Sequence, residues 1–219
     1  MIKIYSIHYN KPEYIYFQYK TFQKFAKFPL EFIIVDNSVD NFIKFKIQNI
    51  IAELGLRCID CKNSDINMSS ISHQNSFKFI LEDFNNGESI MILDHDVFLY
   101  NEITDDYYKN YEIVMLAQPK GNVIYPWPGL LIFNNIKNKE QLSFDSGLVE
   151  GQHCDTGGHL YYYILNNKPK CKFINEKYFD TDKMLMSNLD DKFIHLISGS
   201  GWNPNFDLEK KIEYLQSLI

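Results

Sequence analysis

The stretch ESIMILDHDVFLY, residues 88–100, is an apolar run that stops on Asp94, His95 and Asp96 before it turns apolar again. A buried carboxylate without a partner costs several kcal/mol, so acidic residues at the end of an apolar strand are usually paired, hydrogen-bonded or metal-bound. In an extended chain, residues two apart share a face, so Asp94 and Asp96 can reach the same divalent cation. Carboxylate oxygens suit Mg²⁺ and Mn²⁺, and substrate phosphates commonly complete a Mg²⁺ site. The stretch therefore predicts a metal and phosphate site, although a strand-end cap at Asp94 and a lysine partner for Asp96 explain the same residues without one.

Strand and helix patterns alternate through the chain before this stretch. Apolar strand patterns and amphipathic helix patterns follow one another at 1–9, 12–26, 30–38, 40–55, 56–61 and 72–84. The alternation indicates βαβ units and therefore an α/β fold with a mostly parallel sheet, and Ser72 is the predicted cap of the last helix. Ligands bind at the carboxyl ends of such strands. Polar side chains gather there, with His8 after the first strand, Asp36 and Asn37 after the second, and the acidic triplet after the fourth.

The second half of the chain has a different pattern of predicted elements. Residues 112–120 and 122–135 indicate strands of a mixed sheet, 159–167 a helix, and 207–219 an amphipathic helix that begins at Asp207. The length of 219 residues and the hydrophobic content of 45% favour a single domain. No GxGxxG follows the first strand and no GxxxxGK is present, so neither a dinucleotide-binding fold nor a P-loop is supported.

Charge and hydropathy exclude several kinds of partner. The net charge is −6 and Arg57 is the only arginine, so the basic surface that binds nucleic acid is missing. The first residues lack the apolar region of a secretory signal, and a run of about 18 apolar residues, as a membrane span requires, is absent from the sequence. We therefore expect a cytoplasmic protein with no nucleic-acid partner and no transmembrane segment. Peripheral contact with a membrane stays open.

In this order, the pieces resemble nucleotide-sugar-dependent glycosyltransferases of the GT-A fold and the DxD type, of the small viral or bacterial kind. The resemblance is carried by IIVDNS at 33–38, ILDHDVFL at 92–99, YPWPGLLIFN at 125–134, CDTGG at 154–158, and a late histidine followed by a glycine-rich loop. It implies one GT-A-like domain over 1–219, with a mostly parallel central sheet flanked by helices and a smaller mixed or antiparallel acceptor-side part. Residues 1–100 would bind the nucleotide sugar. Residues 101–219 would form the acceptor side with a closing loop and helix at the C-terminus, and a viral enzyme would work in the host cytoplasm.

The resemblance also implies roles for residues of the donor side. Asp96 would bind the metal directly, Asp94 would contact the ribose or the metal through water, and Asp36, followed by Asn37, would hydrogen-bond the base. His195 resembles the histidine that completes the metal shell, and a histidine satisfied in a core or turn is the alternative.

Four further donor-side candidates have weaker signals. His8 ends the first strand, and His73, on the helix before the acidic strand, could reach a diphosphate or be only a polar residue on the surface. Gly199 and Ser200 could bring backbone N–H groups to the diphosphate, or form only a flexible turn.

Acceptor-side candidates follow from the second half. Asp155 is the candidate general base, although aspartate is also a preferred helix N-cap and Asp155 lies at a predicted helix start. Asp145 is the reserve, with a turn-forming role as the alternative, and His153 is a weaker third. Trp127 lies between two prolines that remove ladder donors, so we expect an edge or exposed loop where its ring stacks on a sugar. Trp127 and Asp145 are the predicted acceptor-binding residues.

The activity that the resemblance implies is transfer of a hexose or deoxyhexose from a nucleotide-diphosphate sugar to a hydroxyl of a glycan or glycolipid. Mn²⁺ or Mg²⁺ would stabilise the leaving diphosphate. Inversion is favoured because a candidate base exists and no second nucleophile is evident. A nucleotidyltransferase or nucleotide-sugar hydrolase on a related fold, and a non-catalytic glycan-binding protein or degenerate transferase, are the alternatives.

Overall fold

In a computed structural model the chain forms an α/β protein with a mixed, mostly parallel central sheet. The structure describes residues 1–61, 69–181, 184–197 and 208–219, without the side chains of 69–72, 180, 181 and 184. The helices are α1 Glu13–Phe25, α2 Asn41–Leu54, α3 Ser69–Asp83, α4 Leu160–Asn167 and α5 Leu208–Leu218. Within the described ranges, no helix is long and apolar enough to cross a membrane.

The central sheet has seven strands. Their chain order is β1 Ile2–His8, β2 Leu30–Asp36, β3 Arg57–Asp60, β4 Ser89–Asp94, β6 Ile113–Lys120, β7 Val123–Phe133 and β10 Cys171–Phe173, and their spatial order is β10-β6-β7-β4-β1-β2-β3. β1 lies between β2 and β4 and is parallel to both, and β3 is parallel to β2. The predicted βαβ half with its parallel strands is therefore confirmed.

β1, β2 and β4 are buried on both faces because helices cover each side of the sheet. One apolar cluster joins the sheet to α1 and α2, for example through Ile4, Phe22 and Ile47, and a second joins its other face to α3 through Phe77. Double-sided burial explains why β1 and β2 read as continuous apolar runs rather than alternating ones.

Helix boundaries follow local capping chemistry. Asp40 Oδ1 accepts the N–H groups of Phe42 and Ile43 at 2.7 and 3.0 Å, which starts α2, and Gly55 ends that helix with a left-handed φ of 66°. The predicted cap of α3 at Ser72 is wrong. The helix begins at Ser69, so Ser72 lies inside its first turns.

The remaining strands form two small antiparallel units, which confirms the smaller antiparallel part. One sheet has the order β11-β12-β13-β5, from β5 Val97–Leu99, β11 Glu176–Thr181, β12 Met184–Leu189 and β13 Phe193–Leu196, and a hairpin joins β8 Gly147–Val149 to β9 Gln152–Cys154. A third apolar cluster, which includes Tyr14, Phe98, Ile194 and Leu215, attaches α5 to α1 and to this sheet.

The position of Trp127 differs in part from the prediction. Trp127 lies within β7 and is half-buried, so the expectation of an exposed loop is wrong, whereas this part of the strand is unpaired on the β4 side, as at an edge. β7 pairs with β4 only from Leu130 to Phe133, and its register against β6 shifts between Met115 and Ala117. The flanking prolines fit because this part of β7 lies beyond its pairing with β4 and next to a bulge.

Candidate active site

The acidic residues form a turn at the carboxyl edge of the parallel strands. β4 ends at Asp94, β5 begins at Val97, and His95 and Asp96 make the turn between them. We call residues 94–97 the acidic turn. The assumption of extended chain through Asp96 is therefore wrong, because the backbone turns here. The Leu196 N–H donates to the Asp96 carbonyl at 2.8 Å, which joins the acidic turn to β13.

Four of the six histidines lie around this turn, and they come from four different parts of the chain: His8, His73, His95 and His195. His73 Nε2 lies 3.0 Å from Asp94 Oδ1. Burial works against charge on both groups, yet their contact raises the pKa of His73 and lowers the pKa of Asp94. The His73 and Asp94 side chains therefore form a charged pair at the strand end.

His195 faces Asp96 in a looser contact. Its Nε2 lies 3.8 Å from Asp96 Oδ1, which is too long for a hydrogen bond. Two ligand atoms that each bind the same metal ion at about 2.1–2.2 Å lie about 3–4 Å from each other. The spacing of His195 Nε2 and Asp96 Oδ1 therefore fits a shared cation. Carboxylate and imidazole together suit Mn²⁺.

A complete set of metal ligands is not assembled in the described part of the chain. No group of three or more His, Cys, Asp or Glu side chains there is arranged to hold a metal ion. Asp94, the third predicted ligand, is engaged by His73. Two of the three predicted ligands, Asp96 and His195, lie 3.8 Å apart, and substrate oxygens would have to supply further ligands for a cation.

Lys211 is a neighbour of Asp96 that the sequence did not single out. It lies on α5, is 3% exposed, and its pKa is lowered by burial, which the Asp96 charge partly offsets. A lysine near Asp96 was one of the alternatives to a metal, and the structure supplies one.

A buried acceptor marks the end of β2. His8 and Asp36 are register partners on the neighbouring strands β1 and β2, and Ile7 pairs with Asp94 on the other side. Asp36 is 1% exposed; its Oδ1 accepts the Ser38 N–H at 2.9 Å, and its Oδ2 has no hydrogen-bond partner among the described residues. Burial raises the pKa of Asp36. A buried oxygen without a partner needs a donor, and a ring N–H of a nucleotide base is one.

The two other predicted residues of this edge are buried within the protein. Asn37 is 2% exposed, and its N–H donates to the His8 carbonyl at 2.8 Å. His8 is fully buried against Ser6 and Gln18, and burial lowers its pKa to about 3, so its ring is neutral. The contacts described for His8 are internal rather than directed at an open crevice.

The second half of the chain brings an aromatic ring to the same place. The rings of Trp127 and His195 lie 4.8 Å apart, and Gly129 leaves the space that the indole occupies. Gly157, with a φ of 89°, lies against the Pro126 carbonyl, where an added Cβ would approach to 3.0 Å. The turn that contains Asp155 is thus packed on the strand that carries Trp127.

Asp155 and Asp145 differ in how their carboxylates are used. Asp155 is exposed, and no described residue pairs with its carboxylate; α4 begins at Leu160, so the alternative role as its N-cap is wrong. Asp145 accepts hydrogen bonds from the Gln74 amide and from Ser143 Oγ. Gln74 follows His73, so α3 links Asp145 to the acidic turn.

Three predicted positions, Gly199, Ser200 and Asp207, lie outside the described residues. His153, the third base candidate, is exposed on β9.

No protein-family model matches the sequence, and no curated protein matches it. Solved structures do match. The mannosyltransferase PcManGT from Pyrobaculum calidifontis, in complex with GDP-Man and Mn²⁺, aligns with a TM-score of 0.53 and 11% identity over 78% of this chain and 54% of that one. The chain has a GT-A-like fold.

Two further structures agree less closely in shape. TarS from S. aureus, in complex with UDP-GlcNAc, has a TM-score of 0.49 and 12% identity over 80% of this chain and 56% of that one. The galactosyltransferase LgtC, in complex with donor and acceptor sugar analogues, has a TM-score of 0.46 and 15% identity over 63% of this chain and 59% of that one. The GT-A-like chain spans between 54% and 59% of the length of these three structures.

Proposed function

We propose that this chain is a glycosyltransferase that moves a sugar from a nucleotide-diphosphate sugar to a hydroxyl group of a glycan or glycolipid. The observation that carries the proposal is the acidic turn, which lies at the carboxyl edge of a GT-A-like sheet with Asp36 on the same edge and His195 3.8 Å from Asp96. Fold likeness alone does not assign chemistry, so the argument rests on these side chains. A related fold that holds GDP-Man and Mn²⁺ in PcManGT is consistent with it.

Donor binding would begin at the base. The unpartnered Asp36 Oδ2 is a hydrogen-bond acceptor for a base N–H, and the acidic turn is the expected position of the diphosphate. Asp96 and His195 would hold Mn²⁺ or Mg²⁺, with Asp94 near it. When bound, the cation neutralises charge on the leaving diphosphate. His73 adds positive charge beside Asp94, and Lys211 adds positive charge beside Asp96.

Asp155 is the proposed general base for a hexosyl or deoxyhexosyl transfer with inversion. Its carboxylate is exposed and unpaired among the described residues, so it can accept the proton of an acceptor hydroxyl. Asp145 is a weaker candidate because hydrogen bonds from Gln74 and Ser143 occupy its two oxygens. Trp127, beside His195, is a surface on which an acceptor sugar could stack, and Asp145 would contribute to acceptor binding through its loop.

Release of nucleoside diphosphate from a panel of nucleotide sugars, with simple alkyl glycosides as acceptors, tests this proposal. We expect Asp155→Asn to keep donor affinity and to lower the transfer rate by about 10²- to 10⁴-fold, the usual contribution of a general base. Glu150→Gln, an exposed carboxylate in the neighbouring β8–β9 hairpin, is the matched control and should transfer at the native rate. Unchanged transfer by Asp155→Asn would show that Asp155 is not the general base. Inversion is tested separately, by NMR assignment of the anomeric configuration of the product.

The alternatives predict different products. A nucleotide-sugar hydrolase would release free sugar without an acceptor, and a nucleotidyltransferase would release pyrophosphate from a nucleoside triphosphate. A glycan-binding protein would bind the acceptor without turnover.

A further inference from the structure

A glutamine from α1 holds the acidic turn at both ends. Gln18 is fully buried, and its Nε2 donates to the Asp94 carbonyl at 3.0 Å and to the Val97 carbonyl at 2.7 Å. The two carbonyls bracket His95 and Asp96. One side-chain amide therefore satisfies the backbone on either side of the residues that carry the acidic chemistry.

The orientation of this amide is determined by a buried polar network. Gln18 Oε1 accepts the Ser6 hydroxyl proton, and Ser6 Oγ lies 2.9 Å from His8 Nε2. His8 Nε2 also lies 3.3 Å from Gln18 Oε1, and His8 Nδ1 lies 3.4 Å from the Lys11 carbonyl, so the neutral ring has oxygen atoms beside both of its nitrogens. Exchanging O and N of the Gln18 amide would place its oxygen against two carbonyls.

The network also reaches the base-binding edge of the sheet. His8 ends β1, and its carbonyl accepts the Asn37 N–H at 2.8 Å, next to Asp36. The Ser6, His8 and Gln18 side chains, all fully buried, thus connect the end of β2 to the acidic turn.

We propose that Gln18, oriented by Ser6 and His8, is the positioning residue of the acidic turn and sets the geometry in which Asp96 meets a cation and the donor diphosphate. The consequence for ligands rests on the proposed function, whereas the control of the turn itself does not. Residues that orient metal ligands from behind commonly change metal affinity by about 10- to 100-fold when they are replaced.

Hydrogen exchange at the Leu196 amide tests the control of the turn. That amide donates to the Asp96 carbonyl at 2.8 Å, so its protection reports the position of the turn. Gln18→Met keeps length but loses every hydrogen bond, and we expect exchange at Leu196 to rise about tenfold relative to Ile4 in the middle of β1. Ser6→Ala is a smaller change that frees the Gln18 side-chain amide to reorient, so it should give a smaller rise in exchange at Leu196. It replaces Gln18→Met in the test if that variant does not fold.

Thr21→Val is the matched control. Thr21 is fully buried on the same helix, and its hydroxyl donates to the Gln18 carbonyl rather than to the turn. It should lower the melting temperature without changing the Leu196-to-Ile4 ratio. A purely structural role for Gln18 predicts that Gln18→Met and Ser6→Ala behave as Thr21→Val does, and that result would overturn the proposal.

Calorimetry with GDP and UDP, in Mn²⁺ and in EDTA, tests the consequence. In Gln18→Met the gain in affinity from Mn²⁺ should fall about 10- to 100-fold, with affinity in EDTA unchanged. If Mn²⁺ raises the nucleotide affinity of Gln18→Met as much as that of the native chain, the positioning role is overturned while the proposed function stands. If the native chain binds neither nucleotide but Leu196 exchange rises as expected, the proposed function fails and Gln18 still positions the turn.

Discussion

At the scale of single residues, Asp96 combines low exposure with two nitrogen-bearing neighbours. It is 6% exposed, faces His195 at 3.8 Å and lies near Lys211. Asp96→Asn keeps the shape and removes the charge, so nucleoside-diphosphate affinity in Mn²⁺ should fall to its value in EDTA. Calorimetry measures both, and Asp106→Asn, on an exposed 3₁₀ turn, is the control. A full Mn²⁺ effect in Asp96→Asn would mean that the cation binds elsewhere.

His8 gives a pH prediction with a definite sign. Burial lowers its pKa in the folded protein to about 3, below its ordinary value of 6.5. As the pH falls below 6.5, His8 becomes protonated in the unfolded chain but stays neutral in the folded protein. The free energy of unfolding therefore decreases with falling pH. The loss between pH 7 and pH 5 is up to about 2 kcal/mol. Urea unfolding at the two pH values should show a flatter profile for His8→Gln, whereas His153→Gln, at an exposed histidine, should keep the native profile.

Residue type made part of the site predictable. Asp94 and Asp96 were recognisable because carboxylates that end an apolar strand need partners, and His195 and Trp127 do lie beside this turn. Gln18 was not recognisable, because a glutamine on an amphipathic helix has the same appearance whether it faces solvent or a backbone turn. Its role depends on the packing of α1 against β5, which no local sequence pattern contains.

At the scale of elements, the turn before α4 depends on close packing against β7. Gly157 has a φ of 89° and would bring a Cβ to 3.0 Å from the Pro126 carbonyl, whereas Gly151, with a φ of 77°, has no atom within 4 Å. The left-handed backbone costs alanine about 1–2 kcal/mol at either site. Gly157→Ala should therefore lower the melting temperature more than Gly151→Ala, and it alone should slow transfer because the Asp155 turn shifts. Equal effects on both quantities would show that packing on Pro126 is unimportant.

Longer elements were predicted better than short ones. The βαβ half follows from apolar runs and helix periodicity over many residues. β5, β8 and β9 have three residues each, which is too short for a period, and the hairpin of β8 and β9 was not predicted. Trp127 was predicted in an edge or exposed loop because prolines cannot donate hydrogen bonds to a neighbouring strand. Only the pairing of β7 shows that they are tolerated inside a strand, at a part that lies beyond its pairing with β4.

At the scale of the whole molecule, the proposed site combines residues from two halves of the chain. The parallel half would supply Asp36 and the acidic turn, and the second half would supply Trp127, His195 and Asp155. Such a site predicts a ligand whose base, diphosphate and sugar contact different halves. Nucleosides, nucleoside diphosphates and complete nucleotide sugars should therefore bind with increasing affinity.

The most direct measurement is the melting temperature of the native chain with UDP-, GDP-, TDP- and CMP-sugars, each with Mn²⁺ and with EDTA. A ligand at about 100 times its Kd stabilises the folded state by about 2.7 kcal/mol, or about 5–10 °C for a chain of this size. We expect one nucleoside-diphosphate sugar to give such a shift in Mn²⁺ and a much smaller one in EDTA. No shift with any of them in either condition would contradict a nucleotide-sugar site at the acidic turn, and an equal shift in EDTA would contradict the role of the metal.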